Sequence, residues 1–318
     1  MQQSDLNKKI KARIPSFVSC LICISLILFA LSLSLFFSDE ISHATTSGLK
    51  LCAEVIIPSV FPFIIIADLL LYFVDFGRLR LTGYLFEKIF KISKNALPAF
   101  ALGILCGFPL GVRCAAELYL SGSITKEEAE RLIGFCNNTG PAFLISGVGA
   151  GLRGNAVDGI ILYLCMLISA LLVGFIFSLG KRLDTRSYEN PPLRSFSLVR
   201  SISQAGVNTL TVCSFLTFFA SICGLMRKFL SQSYPYLLLI TMLEVGNATS
   251  ILSKTPLLTP DFSLIACAFA VGFSGFSVHL QALSFLSSTD IRVGKYFIMK
   301  LLQGILSALL CFFILPLL

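Results

Sequence analysis

Apolar residues fall in nine long blocks, roughly 18–37, 51–74, 97–120, 132–152, 157–179, 202–226, 236–252, 262–286 and 296–317, with short polar stretches between them. A run of about 20 apolar residues is the length of a membrane-crossing helix. The pattern therefore predicts an all-α polytopic membrane protein, one integral membrane domain over 1–318. The block 18–37 carries no charge and follows Lys8, Lys9, Lys11 and Arg13. It is longer than the apolar core of a signal peptide and no A-x-A site follows it, so it is expected to be a retained first span.

Several blocks are interrupted. Proline, glycine or amide clusters stand in "IPSVFPF" (57–63), "GFPLG" (107–111), "NNTGP" (137–141), "GNATS" (246–250) and "GFSGF" (272–276). Non-helical backbone at membrane depth is tolerated only inside protein or beside water. One break is a kink or a packing notch; five, four of them beside ionisable or amide side chains, point to a polar cavity. Basic residues set the orientation. The N-terminus, the loop with Arg78, Arg80, Lys88, Lys91 and Lys94, and the loop with Lys181, Arg182, Arg186, Arg194 and Arg200 are all expected on the cytoplasmic side. Nine single crossings would put the Lys181–Arg200 loop outside. Reading 97–120 and 262–286 as re-entrant hairpins restores it, and places Lys254, Arg292 and Lys295 inside as well. About seven transmembrane helices and two broken hairpins result, with the N-terminus inside and the C-terminus outside. A faint echo between 105–118 and 270–283 points to an inverted repeat with halves 49–180 and 201–318, although this topology has both hairpins entering from one face.

Composition narrows the class. The chain is 56% hydrophobic and 13% charged, with a mean hydropathy of +0.86, whereas soluble domains are nearer a quarter charged. The net charge of +8 lies in loops between spans, so it is read as a topology signal and no nucleic-acid partner is expected. Cys20 and Cys23 form a C-x-x-C inside a lipid-facing span without a second ligand pair, and no metal or cofactor is expected. The partners are a small anionic solute and the lipid bilayer, with homo-oligomerisation left open.

Charges at a helix centre cost about 2.5–3.5 kcal/mol each, so they normally face a cavity or a partner. Arg113 and Glu117 are four apart on the helix leaving GFPLG. They are either a mutually neutralised pair or an anion-binding arginine beside a carboxylate that holds it or carries protons. Asn137, Asn138 and Asn247 stand at breaks, where amides bond a ligand or satisfy freed backbone groups. His279 and Gln281 follow GFSGF and complete the candidate binding set. Glu244 and Glu117 are the candidates for ion coupling, and Glu244, with no basic neighbour in sequence, is the stronger. Glu54 and Asp68 flank the 57–63 break and are weaker candidates. A broken helix also presents an N-terminus at mid-membrane, whose free N–H groups favour carboxylates. The pattern points to a small, polar, anionic solute.

An enzyme is not expected. H-E-x-x-H, Walker and G-x-S-x-G motifs are missing. Gly272–Phe273–Ser274–Gly275 has the G-x-S-G form of rhomboid proteases, but His279 lies five residues on, about 500° around a helix, facing away from the serine. His43 is expected in an external loop.

Four stretches, "IIPSVFPFIIIADLL" (56–70), "GFPLGVRCAAELYLSGSITKEEAERLIGFCNNTGPAFLISGVG" (107–149), "LEVGNATS" (243–250) and "GFSGFSVHLQALSFLSSTDIRVGKYFIMKLLQG" (272–304), resemble the YlbJ-type sporulation integral membrane proteins, a group related to the nucleoside-recognition (Gate) domain family. The resemblance implies a mother-cell protein of endospore formers that moves dipicolinic acid across the outer forespore membrane. The Gate relatives imply nucleosides as the alternative solute, with Asn137, Asn138, Glu244 and Gln281 able to bond ribose and base. A non-transporting sporulation scaffold is the third reading, and it leaves the cost of the mid-membrane charges unexplained.

Overall fold

A computed structural model describes residues 17–73, 80–183, 197–230 and 233–317, and every regular element among them is helical. Lys8, Lys9, Lys11, Arg13, Arg78, Arg186 and Arg194, which entered the orientation count, lie outside the described residues, as do the side chains of Arg80, Cys20 and Cys23. Five helices are long and apolar enough to cross a membrane: Ser38–Ile66, Ala156–Ile176, Leu198–Leu230, Pro260–Leu286 and Gly294–Leu317.

Helix α1 (Phe17–Phe36) leads into one long run made of α2 (Ser38–Leu51), a π-helical stretch π1 (Cys52–Ile56) and α3 (Ile57–Phe73). This run lies antiparallel to α9 (Leu198–Leu230). Lys228 donates to Glu40 at one end and Ser201 donates to Asp68 over 2.7 Å at the other. Small residues seat the crossing: a Cβ on Gly48 would meet Ala220 and one on Gly224 would meet Ala44.

The rest of the body is the same triad built twice. In the first, α5 (Leu97–Leu105) and α6 (Leu110–Leu120) form a hairpin. A span broken at 137–141 follows, made of α7 (Lys126–Cys136) and the π-helical π2 (Ala142–Leu152), and then the plain span α8 (Ala156–Ile176). In the second, α10 (Tyr234–Leu243) and α11 (Val245–Lys254) form a hairpin that turns at Glu244. A span broken at Ser274 follows, α12 (Pro260–Phe273) and α13 (Gly275–Leu286), and then α14 (Gly294–Ile314). Each triad falls within one of the stretches 49–180 and 201–318.

The triads are inverted. On one face of the body, face A, Tyr119 and Lys126 both donate to Asp290, over 2.6 and 2.7 Å, and Glu130 accepts from the Arg292 backbone. On the opposite face B, Arg153 donates to Asp158 and to Ser263, and Tyr234 to the Leu257 carbonyl. The broken span 126–152 thus runs from A to B and Pro260–Leu286 runs from B to A. The first hairpin enters from face A and the second from face B.

Three expectations are corrected. The second hairpin is 234–254, not 262–286. Glu244 has extended backbone (φ −154°, ψ 125°), which lets the chain turn back. At Ser274 (φ 74°) and Gly275 (φ 75°) the left-handed step is followed by a helix that carries on across the membrane. The hairpins enter from opposite faces, as an inverted repeat requires, so the echo between 105–118 and 270–283 does not join equivalent elements. Lys254 lies on face B, away from Arg292 and Lys295, because α11 returns to the face from which α10 entered.

Face A is clasped by the "ITKEEAERL" stretch. Thr125 and Glu128 form a reciprocal capping box at the start of α7. Glu128 also accepts from the Ser93 backbone, and Arg131 donates to the Lys91 carbonyl. Helix α4 (Arg80–Phe90) docks beside it through Phe90, stacked on Phe135 at 4.9 Å.

Candidate functional site

The hairpin tips meet the helix breaks at the middle of the body. Gly107, at the first tip, has φ 80°, and a Cβ there would come within 2.6 Å of the Gly140 backbone. Gly275, at the second break, sits close on the backbone of Leu243 and Glu244 at the second tip, where a Cβ would come within 3.1 Å. Between them lies a pocket lined by Cys106, Gly107 and Phe108 of the first tip, Thr139, Gly140, Ala142 and Phe143 of the first break, Glu244, Val245 and Gly246 of the second tip, and Gln281 of α13. Ile56, Val60, Phe63, Val212 and Leu216 close it from the scaffold helices. In this conformation it has room for only a few waters.

The lining is aromatic and aliphatic with three polar side chains. Glu244 is buried, and its carboxylate accepts from the backbone N–H of Gly246 at 2.8 Å, the backbone N–H of Asn247 and the Asn247 amide at 2.9 Å. It caps the positive end of α11. The other two have spare capacity: the Gln281 Oε1 and Thr139 Oγ1 atoms are buried and have no hydrogen-bond partner among the described residues. Buried polar atoms are rarely left unpaired, and each exception calls for a reason. Helices α6 and π2 also begin at the pocket, and neither N-terminus is capped by a side chain, so both present free N–H groups.

Behind the first break lies a second polar cluster. Asn137 Nδ2 donates to Tyr296 Oη at 2.9 Å, and Tyr296 Oη lies 2.8 Å from His279 Nδ1. The other ring nitrogen, His279 Nε2, is buried and has no hydrogen-bond partner among the described residues. Lys300 of α14 is fully buried and donates to the Asn137 carbonyl at 2.8 Å and to Gln303 Oε1 at 2.7 Å. Gln303 in turn donates to Asn138 Oδ1 at 2.8 Å, and Asn138 donates to the Phe135 carbonyl. Lys300 thus caps the carbonyl end of α7, where the helix dipole is negative.

The residues singled out in the sequence divide accordingly. Asn137, Asn138, Glu244, Asn247, His279 and Gln281 are all buried around the breaks, and Asn247 ties the second tip to α9 through the Leu216 carbonyl at 3.1 Å. Arg113 and Glu117 are elsewhere. They pair at 3.1 Å on the outer face of α6, with side chains 30% and 52% exposed, and neither lines the pocket. Ser274 donates to the Val271 carbonyl while His279 faces Tyr296, so the two do not form a nucleophile–base pair. Thr139, Tyr296, Lys300 and Gln303 were missed. A lysine inside the apolar block 296–317, three residues before a glutamine, was the available signal.

No family model matches the chain, and no solved structure matches it. Among curated proteins it is similar to the sporulation integral membrane protein YlbJ of Bacillus subtilis (strain 168), 28% identical over 313 residues that cover 84% of this chain and 75% of that protein. The YlbJ-type resemblance carried by the four motifs is thereby supported over most of the chain. That relative is named as a sporulation integral membrane protein, and the apolar helices of this chain agree with an integral membrane protein.

Proposed function

We propose that the chain carries a small planar carboxylate, dipicolinate in the reading that the resemblance implies, across a membrane by alternating access. The observation behind this is the central pocket: two hairpins enter from opposite faces, their tips abut two helix breaks, and the enclosed space is lined by Gln281 and Thr139, whose Oε1 and Oγ1 atoms have no hydrogen-bond partner among the described residues. Flat aromatic walls from Phe63, Phe108 and Phe143 suit a ring. The open N-termini of α6 and π2 suit a carboxylate. Glu244 is the coupling group in this reading. Lys88, Lys91, Lys94, Lys181, Arg182, Arg292 and Lys295 lie on face A, which supports a cytoplasmic face A with the N-terminus on the same side. In the reading that the resemblance implies, the membrane is the outer forespore membrane.

Uptake of labelled dipicolinate into proteoliposomes tests the proposal. Gln281→Leu and Thr139→Val should each lower uptake by roughly tenfold or more, the worth of one hydrogen bond to a charged group. Wild-type uptake no faster than into empty liposomes would sink it. The amide and hydroxyl would serve a nucleoside equally well. Competition by unlabelled nucleoside, with none by dipicolinate, would favour that solute.

A further inference from the structure

A second cavity adjoins the central one. It is a groove between the scaffold run and π2, lined on one side by Glu54, Pro58, Ser59, Pro62 and Phe63 and on the other by Ala142, Ser146 and Gly151. Phe63 and Ala142 line both cavities, so the two adjoin at these side chains. The groove follows π2 from its first residue, at the pocket, to Gly151, two residues before Arg153 on face B.

Three features mark this groove as wet. It contains a carboxylate, Glu54, and a hydroxyl, Ser146, both exposed; lipid disfavours a charge by about 2.5–3.5 kcal/mol at a helix centre. Its walls are formed by both π-helical stretches, π1 and π2, and such stretches interrupt regular backbone bonding and gather at functional sites. Three prolines, Pro58, Pro62 and Pro141, line it, and each lacks the N–H that a regular helix would use. Irregular backbone of this kind is tolerated at membrane depth where it borders water.

We propose that this groove is the aqueous vestibule joining the central pocket to face B, with Phe63 and Ala142 as the partition that the solute must pass. The proposal rests on the transport reading above. Glu54 gives the mouth a negative charge, which an anion meets in water, where ions screen it over about 8–10 Å.

The test is side-specific thiol modification. Ser59→Cys and Ser146→Cys are made one at a time in the full chain, with the parent protein as blank, since its nine described cysteines are all buried. Lys254→Cys marks face B and Lys181→Cys marks face A. A membrane-impermeant methanethiosulfonate should modify both groove cysteines from the side that reaches Lys254→Cys. Dipicolinate should slow the reaction, and complete modification of Ser146→Cys should cut uptake at least tenfold. Modification from the Lys181→Cys side, no modification of either cysteine, or undiminished uptake after complete reaction at both positions would overturn the proposal. Modification needs water and not transport. Reactive groove cysteines in a chain that moves no dipicolinate would therefore leave the vestibule standing and remove the substrate reading alone.

Discussion

Gly103→Ala should unseat the first hairpin. Gly103 lies on α5 where the hairpin crosses the end of α7, and Gly111 on α6 meets it there. A Cβ on Gly103 would fall 1.7 Å from the carbonyl oxygen of Cys136 and 2.7 Å from its carbon. Ordinary contact between such atoms begins at about 3.5 Å, so α5 and α7 must separate by roughly 1.5–2 Å. The obstacle is a backbone carbonyl at a helix end beside the break, and it has no rotamer to move into. Over-packing a tight site costs about 1–3 kcal/mol; this crossing should sit at the upper end, a loss of roughly 4–5 °C in melting temperature for a chain of this size. Displacing α5 also draws Gly107 away from Gly140, and so pulls the tip off the pocket. Melting in detergent and uptake into proteoliposomes read the two effects. Gly294→Ala is the control, since a Cβ there meets nothing within 4 Å. If Gly103→Ala melts and transports like Gly294→Ala, the hairpin does not close on α7 as described.

Glu244→Gln keeps the side chain's shape but removes the charge that caps α11; gradient-driven accumulation should fail while exchange persists, and full concentrative uptake would show that another group couples the ion. Arg113→Met combined with Glu117→Leu should leave both stability and uptake near wild type, because the pair lies outside the pocket; loss of uptake from a stable double variant would return Arg113 to the site. Lys300→Met leaves the Asn137 carbonyl and Gln303 Oε1 without a donor, at about 1–3 kcal/mol each, and melting should fall with helix content unchanged; an unshifted melting temperature would mean that the first break is held by other contacts. Lys126 and then Tyr119 hold the Asp290 carboxyl below the usual carboxylate range, so this clasp is intact above about pH 4 and weakens as the pH falls through the lowered value. Hydrogen exchange in 287–293 should quicken there in the parent chain, and Asp290→Asn should abolish that pH dependence.

The all-helical, membrane-embedded character was legible in the sequence, because lipid obliges each apolar segment to satisfy its own backbone. The breaks were legible too, since proline, glycine and amide clusters cannot hide in a helix. So were most of the buried polar residues, which stood out as costly. The sense of each break was not. GFPLG and GFSGF look alike, yet the first reverses the chain and the second lets it continue. The difference lies in distant partners: Gly103 and Gly111 close on Cys136, whereas Gly272 closes on Gln303 and Gly304 of α14. Spacing likewise fixed that Arg113 and Glu117 share a face of α6, because i and i+4 always do. Which way that face points was settled by the burial of Val112, Cys114, Ala115, Ala116 and Leu118 around the rest of the helix. Local sequence determines where a helix stops; the contacts waiting on either side of the stop, remote in sequence, decide where the chain goes next and which side chains it delivers to the centre.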